Sequence, residues 1–239
     1  MSSVYEKYYH IFQTNGTIAQ VEYAFNALAS CPQIISVTNG TEVVFVHKKV
    51  PKAKLQEEEV EFIYKISDNI CIGITGEHGD VLFIVNKAIE MISELDYKYG
   101  LCVGPNIFVK EFASKMQNYI QTSDKRLKIF SMHVFGIIKP YKKDEYVKLY
   151  YTDLSAIEQE MYACASGEDT SKMTSYLEKT FDRRADVNNL VINATQALLE
   201  SIGREAEHTE IGIYVFSSNG LEKLSPERIE KCLQDISEL

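Results

Sequence analysis

The sequence predicts an α+β domain whose antiparallel sheets carry helices on their outer faces. The order of segments is the first reason, because short β-type runs come in groups and pairs of amphipathic helical segments separate the groups. The second reason is that short turns join neighbouring runs, as they join the strands of antiparallel sheets. No linker or low-complexity stretch divides the 239 residues, which favours a single domain.

Four short runs rich in Val and Ile predict the first group of strands, and Asn-Gly and Ser-Asp-Asn turns lie among them. These runs cover residues 34–37, 43–47, 62–66 and 70–74. Apolar residues then recur at helical spacing from Val81 to Leu95, which predicts a long helix. A second helix is predicted for residues 108–120, with Pro105 near its first turn.

The second half of the chain repeats this order. We expect strands at residues 130–138 and 147–152, joined as a hairpin, and one continuous strand at residues 161–166. The next predicted elements are helices at residues 173–180 and 187–202 and a strand at residues 211–216. Ser225 and Pro226 then begin a last helix, as its cap and its first residue.

The composition is ordinary for a soluble globular protein, and we expect no cofactor. The net charge of -9 argues against nucleic acid or an anionic membrane as a partner. No apolar run approaches the roughly 18 residues of a membrane span, and the first residues lack the basic start and apolar core of a secretory signal. The five cysteines include no Cys-x-x-Cys pair, so we expect buried free thiols in a reducing compartment and no metal site.

The amino-terminal segment carries the most specific signals of the chain. Asn15 and Gly16 predict a turn, because both residue types tolerate positive φ. A helix is predicted at residues 20–30, with its apolar residues spaced as one face. This face consists of Val21, Ala24, Phe25 and Leu28. We expect it to pack inward, on the chain itself or on a neighbouring molecule.

Several short motifs follow one another at fixed spacing in this segment. They are Tyr5-Glu6-Lys7, Ile11-Phe12, Gly16 and the run Gln20-Val21-Glu22-Tyr23-Ala24. Together they resemble the start of the α-type subunits of the proteasome core particle. The resemblance continues at the Thr-Gly turn before Asp80 and at Arg126. Residues 48–51, 97–100 and 174–179 look most like the alpha type-6 subunits, at ring position one in the yeast naming.

The resemblance implies a four-layer αββα sandwich of the N-terminal nucleophile hydrolase type with an extra N-terminal helix. It also implies a single domain that covers residues 1–239. Within this domain, residues 1–19 would form a gate segment and turn, residues 20–30 the N-terminal helix, and residues 31–239 the sandwich.

The function implied by the resemblance is that of a noncatalytic subunit in the outer ring of the 20S core particle. Such a subunit would control substrate access and activator docking in ATP- and ubiquitin-dependent protein degradation, in the cytoplasm and the nucleus. Its partners would be other α subunits in a heteroheptameric ring, β subunits, and regulatory caps or activators. The gate and ring contacts carried over to this chain are Tyr5, Glu6, Thr14, Gly16, Gln20, Glu22 and Tyr23.

The chain departs from the family pattern at several positions, as a divergent member does. Thr14 stands where the family has a proline, so we expect a less rigid turn. Phe62 stands at the position of a lysine that, in many members, lines the pocket where activator tails dock between neighbouring subunits. Without that ammonium group, the carboxylate of a tail would have no charge partner there.

Two other functions stay open at this point. The first is an active N-terminal nucleophile hydrolase, in which processing would expose Cys31, and the free amine of such a residue acts as the base. Against it, Pro32 follows Cys31, and the segment directly before the first strand, residues 29–33, contains no threonine and no Gly-Thr processing site. The second is a standalone binding module of the same fold.

Overall fold

Two five-stranded antiparallel sheets lie face to face between two layers of helices, which confirms the αββα sandwich. The computed structural model describes residues 11–57, 59–122, 125–139, 145–203 and 206–237. Tyr5 and Glu6 of the expected gate segment lie outside these residues. Within the described ranges, no helix combines the length and the apolar character needed to cross a bilayer.

The order of helices and strands follows the sequence prediction closely. The elements in chain order are α1 (Ala19–Leu28), β1 (Ile34–Thr38), β2 (Val43–Lys48), β3 (Ile63–Lys65), β4 (Ile70–Gly76), α2 (His78–Tyr99), α3 (Pro105–Gln121), β5 (Phe130–Ile138), β6 (Tyr146–Asp153), β7 (Gln159–Met161), β8 (Ala163–Ser166), α4 (Thr170–Thr180), α5 (Val187–Ile202), β9 (Ile211–Ser217), β10 (Gly220–Lys223) and α6 (Pro226–Ser237). Pro105 is in the first turn of α3, and Ser225 accepts a hydrogen bond from the backbone N–H of Arg228 at the start of α6.

The two sheets differ in how the chain builds them. The first sheet has the order β10-β9-β2-β1-β8, so it joins strands from both halves of the chain. The second sheet has the order β3-β4-β5-β6-β7, which is the order of the sequence. Strands β5 and β6 pair from Ser131 opposite Asp153 to Ile138 opposite Tyr146, which confirms the predicted hairpin. The tip of this hairpin, residues 140–144, lies outside the described residues.

Three apolar clusters hold the four layers together. One lies between the sheets, where the rings of Phe135 and Phe216 meet edge to face with centroids 5.4 Å apart. The second packs α2 and α3, with part of α1, on the second sheet. The third packs α4, α5 and α6 on the first sheet. Each helix therefore buries one apolar face, as the helical spacing of its residues predicts.

The single strand predicted at residues 161–166 is wrong, because this run is two short strands in different sheets. β7 is the edge of the second sheet and β8 is the edge of the first. Tyr162 lies between them, 43% exposed, with its ring stacked on Phe181 at a centroid distance of 6.0 Å. The chain crosses from one sheet to the other at this tyrosine, and hydrophobicity along the run does not reveal such a crossing.

Strand β10 was not predicted. Its residues are Gly220, Leu221, Glu222 and Lys223, and only half-buried or exposed positions occur among them. β10 is an edge strand that pairs only with β9 among the described strands. Charged residues are typical of sheet edges, because they discourage pairing with other chains. A polar edge strand lacks the alternating apolar pattern from which a strand is predicted.

Candidate functional site

The predicted turn before α1 is present and is closed by hydrogen bonds. The backbone N–H of Gln13 donates to the Thr17 carbonyl oxygen at 2.8 Å, and that of Gly16 donates to the Gln13 carbonyl oxygen at 2.9 Å. Gly16 has φ +82°, a conformation that glycine adopts without strain. Asn15 Oδ1 also accepts from the backbone N–H of Thr17 at 3.1 Å and from its hydroxyl at 2.9 Å.

The Asn15 side chain therefore closes the turn by an Asx-type interaction. This interaction orders the turn without the proline that Thr14 replaces. Whether the turn is less rigid than in relatives stays a prediction. The backbones of Phe12 and Ile18 meet in an antiparallel bridge at the base of the turn. The side chains of Ile11 and Phe12 are 58% and 63% exposed, so this segment presents apolar groups to its surroundings.

A hydrogen bond from Gln20 and a narrow apolar stripe attach helix α1 to the body of the domain. The Gln20 amide Nε2 donates to the carbonyl oxygen of Ile120, near the end of α3, at 2.6 Å. Ala24 and Leu28 are buried in the cluster beneath α2 and α3, and Val21 packs against it. Gln20, expected as a ring contact, thus has an internal role in this structure.

Phe25 does not pack inward as expected, since it is 38% exposed. The stripe formed by Val21, Ala24 and Leu28 has Phe25 at its border, because consecutive residues are rotated by about 100° around a helix. The ring is thus turned partly outward. Glu22 and Tyr23 are exposed on α1, and Tyr23 is 61% exposed. Their expected gate contacts would involve residues of another subunit and stay a prediction.

An ion pair joins Asp80 and Arg126, two of the residues at which the sequence resembles the α-type subunits. Asp80 lies in the first turn of α2 and is only 2% exposed. The guanidinium of Arg126 donates to both carboxylate oxygens, at 2.8 and 2.5 Å, and the backbone N–H of Ile129 donates at 2.9 Å. Burial by itself raises the pKa of this carboxyl. The hydrogen bonds and the nearby positive charges outweigh burial, so the pKa of Asp80 lies below its ordinary value.

We expect Asp80→Asn to lower the free energy of unfolding by about 2–3 kcal/mol, because it removes the charge of a buried, multiply hydrogen-bonded carboxylate. Urea unfolding at neutral pH measures this loss. Asp68→Asn is the matched control, since its ion pair with Lys65 is largely exposed and should contribute less than about 1 kcal/mol. Equal effects of the two substitutions would show that the Asp80 pair does not anchor α2.

Phe62 lies in the wall of a groove of about 210 Å³. The side chain is 4% exposed, and its ring stacks on the His47 imidazole with centroids 4.7 Å apart. The residues that line the groove are Pro32, Val50, Val60, Glu61, Phe62, Ile74, Thr75, Gly76, His78 and Val81. None of these described lining residues is a lysine or an arginine. Phe62 therefore borders a groove, and the assignment of this groove as the pocket for activator tails stays a prediction.

Cys31 lies in the segment between α1 and β1 and does not have the environment of a nucleophile. Burial, and then the negative charge of Glu77, raise the pKa of the Cys31 thiol. The thiol donates weakly to the Ala27 carbonyl oxygen, and the backbone N–H donates to Leu28 O at 3.0 Å. A raised pKa favours the unreactive thiol over the thiolate. In this chain the Cys31 nitrogen is a hydrogen-bonded amide, so it is not a free base.

Gly167, after β8, lies directly against the backbone that connects α1 to β1. A Cβ atom at this glycine would overlap the Pro32 carbonyl oxygen and lie 2.8 Å from the Cys31 carbonyl oxygen. Gly167 also has φ +99°, and the next residue, Glu168, donates its N–H to Cys31 O at 2.9 Å. A processed hydrolase of this fold would begin in the segment between α1 and β1. In this chain Gly167 and Glu168 pack on that segment and enclose it.

A buried polar network, which no sequence motif indicates, joins the two sheets. His133 Nδ1 is 2.8 Å from Ser36 Oγ, and His133 Nε2 is 3.0 Å from Ser166 Oγ. Ser166 Oγ is also 2.7 Å from Ser131 Oγ. Burial lowers the pKa of His133 to about 3. Histidine and serine suggest catalysis, but both side chains are inaccessible here, so the network connects the sheets and reaches no substrate.

The cysteines and acidic residues within the described ranges are scattered over the fold. Among the residues with described structure, no group of three or more His, Cys, Asp or Glu side chains is arranged to hold an ion. All five cysteines are free thiols. Cys71, Cys164 and Cys232 are buried as expected, Cys31 is half-buried, and Cys102 is exposed, contrary to the expectation of buried thiols. Cys102 is in the loop between α2 and α3, where no sheet covers it.

The two sheets lie between helical layers, and a turn and a helix precede β1. This arrangement defines a protein of the N-terminal nucleophile hydrolase fold with one helix added before the first strand. The chain belongs to the proteasome subunit family, whose family model, described as "Proteasome subunit", matches residues 35–216.

Several curated relatives are similar to almost the whole chain. Proteasome subunit alpha type-6 of Caenorhabditis elegans is 24% identical over 99% of this chain and 97% of the relative. Proteasome subunit alpha of Archaeoglobus fulgidus is 28% identical over 98% and 94% of the two chains. Proteasome subunit alpha type-7-like of Macaca fascicularis is 25% identical over 99% and 94%. The resemblance to α-type subunits is confirmed, while similar identities to several types leave the ring position as a prediction.

Proposed function

We propose that this chain is a noncatalytic α-type subunit in the outer ring of a proteasome core particle. The observation that carries the proposal is the enclosed connection between α1 and β1. The Cys31 amide is hydrogen-bonded to Leu28 O, and Gly167 packs on the same backbone. A hydrolase of this fold needs a free amine and an accessible nucleophile at this place. This chain instead continues into a packed helix.

The amino-terminal unit, which consists of residues 11–17 and helix α1, would provide a surface for neighbouring ring subunits. Ile11, Phe12, Tyr23 and Phe25 are all exposed and belong to one short stretch of chain. A contiguous exposed apolar patch typically marks a protein–protein contact, and the adjacent residues Ile11 and Phe12 are the candidates for such a patch here. In a heteroheptameric ring, this unit would contact an adjacent α subunit, while other faces of the sandwich contact β subunits. The N-terminal helix proposed at residues 20–30 overlaps α1, which begins at Ala19 and ends at Leu28.

The gate would consist of the segment before α1 together with the turn. Tyr5 and Glu6 would lie towards the pore, with Thr14 and Gly16 setting the direction of the segment. Glu22 and Tyr23 would bind it from an exposed side of α1. Gln20 supports this arrangement from inside, since its bond to Ile120 holds α1 on the domain. Regulatory caps or activators would dock at the groove beside Phe62.

The cellular role that follows is control of substrate access in ATP- and ubiquitin-dependent degradation, in the cytoplasm and the nucleus. Purification of the tagged chain from its own cells tests the proposal, with native mass and peptidase activity measured on the same sample. We expect a particle of four stacked seven-membered rings that cleaves peptides through other subunits. Cys31→Ala should leave this activity unchanged.

A lone chain whose hydrolase activity disappears in Cys31→Ala would instead establish the N-terminal nucleophile hydrolase. A lone chain without activity, which never co-purifies with relatives, would indicate a standalone binding module. Cys31 is a suitable position for this test because it is half-buried and its thiol hydrogen bond to the Ala27 carbonyl oxygen is weak, at 3.5 Å.

Deletion of residues 2–8 should raise the peptide hydrolysis of the assembled particle severalfold, if this segment helps to close the pore. The reason is that weak contacts repeated around a ring can act as an all-or-none gate, and one missing segment weakens the closed state. Hydrolysis of a short fluorogenic peptide measures the effect. Tyr97→Ala, at an exposed residue near the end of α2, is the control. Unchanged hydrolysis after the deletion would exclude the segment from the gate.

A further inference from the structure

A small cleft lies at the end of the sandwich where β1 turns into β2 and where the chain crosses between the sheets at Tyr162. Its volume is about 240 Å³. Pockets that hold whole drug-sized molecules measure roughly 300–1,000 Å³, so this cleft has room for one aromatic ring with one polar group. The lining residues are Thr38, Gly40, Tyr146, Val147, Lys148, Glu160, Met161, Tyr162 and Arg183.

Backbone hydrogen bonds hold the floor of the cleft in place. The N–H of Thr38 donates to the Tyr162 carbonyl oxygen, and the N–H of Val147 donates to the Gly40 carbonyl oxygen, each at 2.8 Å. The Thr38 hydroxyl donates to the Glu42 carbonyl oxygen at 2.7 Å. Because these walls are ordered before any ligand arrives, binding costs little conformational entropy of the protein.

Two tyrosines supply the aromatic surface of the cleft. Tyr146 is 38% exposed and Tyr162 is 43% exposed. A cation lies over each ring: Lys148 Nζ is 5.7 Å from the Tyr146 centroid, and Arg183 Cζ is 4.6 Å from the Tyr162 centroid. Aromatic surface and positive charge therefore lie side by side in the same lining.

Arg183 is the lining cation whose charge is not neutralised by a carboxylate. Lys148 pairs with Glu160, and the second oxygen of Glu160 is 3.5 Å from the Tyr150 hydroxyl. Within the described part of the chain, neither an ion pair nor a hydrogen bond occupies the Arg183 guanidinium. A guanidinium that stacks on an aromatic ring keeps its N–H groups at its edge, where they can bind an oxyanion through two parallel hydrogen bonds.

Four acidic residues of the surrounding segments are near the cleft in sequence but outside its lining. The Asp182 carboxylate accepts from the backbone N–H of Arg184 at 2.8 Å, and Glu145 is in an ion pair at 3.2 Å. Glu42 and Glu158 are also not part of the lining. These carboxylates weaken the long-range attraction of anions. A preference for an anion therefore depends on its direct contact with the unpaired guanidinium.

We propose that this cleft binds a phosphate group carried by an aromatic ring. The ring lies against Tyr146 and Tyr162, and the phosphate accepts hydrogen bonds from Arg183. A phosphate ester has close to two negative charges and three acceptor oxygens, so it gains more from this guanidinium than a carboxylate does. The ligand is either a phosphotyrosine of another protein or a free aryl phosphate. The inference goes beyond the proposed function and does not depend on it.

Photoaffinity labelling of the purified tagged chain with 4-azidophenyl phosphate tests this inference. We expect mass spectrometry to find the label on peptides that contain Tyr146 or Tyr162. Phenyl phosphate should halve this labelling at about a tenth of the concentration required of inorganic phosphate, which lacks the ring, or of phenol, which lacks the charge. A tenfold difference corresponds to about 1.4 kcal/mol of binding free energy.

Arg183→Gln should raise the half-protecting concentration of phenyl phosphate about tenfold. Arg184→Gln makes the same charge change at the next residue, outside the lining, and is the matched control that should leave this concentration unchanged. Both arginines are exposed, so neither substitution disturbs the core. Labelling confined to other parts of the chain, equal protection by inorganic phosphate and phenyl phosphate, or equal effects of the two substitutions would overturn the inference.

A glycine-flanked phosphotyrosine peptide and its unphosphorylated form, used as competitors, distinguish the two sources of the ligand. Protection by the phosphopeptide at least equal to that by phenyl phosphate supports a phosphotyrosine of a partner protein. Protection by phenyl phosphate alone supports a free aryl phosphate. Equal protection by the two peptides would contradict the inference, because the phosphate would then contribute nothing. Native mass, measured on the same samples, tests the proposed function separately.

Discussion

The free energy of unfolding of the full chain should fall by about 4 kcal/mol when the pH is lowered from 7.5 to about 5. Two buried histidines cause this loss. Burial lowers the pKa of His47 to about 4 and that of His133 to about 3. Both stay neutral in the folded chain at pH 5, whereas in the unfolded chain they take up protons below their ordinary pKa of 6.5.

The direction follows from proton linkage. Below pH 6.5 the unfolded chain binds more protons than the folded chain, so acidification favours unfolding until the folded-state pKa values are reached. Each histidine contributes about 1.4 kcal/mol per pH unit in this window, which amounts to about 2 kcal/mol each near pH 5. Stability is fully present above pH 7 and is lost as the pH falls towards 4 and then 3.

Urea unfolding at a series of pH values measures this dependence. His47→Gln and His133→Gln should each remove about half of the pH-dependent loss, whatever their effect on stability at pH 7.5. His78→Gln, at an exposed position, is the matched control and should leave the slope as it is. A slope that is the same in all three variants and the wild type would contradict the assignment to the buried imidazoles.

Gly167→Ala should destabilise the chain by about 3–5 kcal/mol, the sum of backbone strain and a forced contact. Alanine is strained at φ +99°, and its Cβ would overlap the Pro32 carbonyl oxygen. This oxygen cannot move freely, because it accepts a hydrogen bond from the Thr75 hydroxyl at 2.7 Å. The substitution therefore separates β8 from the connection between α1 and β1.

Gly40→Ala is the matched control for this effect. Gly40 has a similar φ of +95°, but a Cβ atom there would meet nothing within 4 Å. The control should cost only the strain, about 1–3 kcal/mol. Chemical denaturation of both variants gives the difference. If the two substitutions destabilise the chain equally, the close approach of Gly167 to the backbone of Pro32 is not important for stability.

Elements with a strong internal period could be predicted from the sequence, and those defined by distant contacts could not. The period of α2 and the Val- and Ile-rich strands are local properties, so their existence and type were predicted correctly. The break at Tyr162 depends on which sheet each neighbour joins. The exposed position of Phe25 depends on how α1 is rotated about its axis against the domain. A helical pattern of apolar residues does not determine whether a residue at the border of the apolar face is buried.

In the candidate site, too, features set by local sequence could be predicted and features set by distant contacts could not. The turn at Gly16 is at the expected place, because the adjacent residues Asn15 and Gly16 mark it locally. Gln20 is 100 residues from its partner Ile120, and no local pattern links the two. His133 lies among apolar residues of β5, and a histidine on a buried strand gives no indication of which hydroxyls face it.

The different orders of strands in the two sheets have a consequence for synthesis of the protein on the ribosome. The second sheet needs only strands that follow one another along the chain, so it can assemble as soon as Met161 has left the exit tunnel. The first sheet cannot close until β9, which ends at Ser217, has emerged to pair with β2. During this interval β1 can already pair with β8, but β2 exposes an open edge, and open edges are prone to wrong pairing. The nascent chain therefore has its greatest need of a chaperone over the last third of its translation.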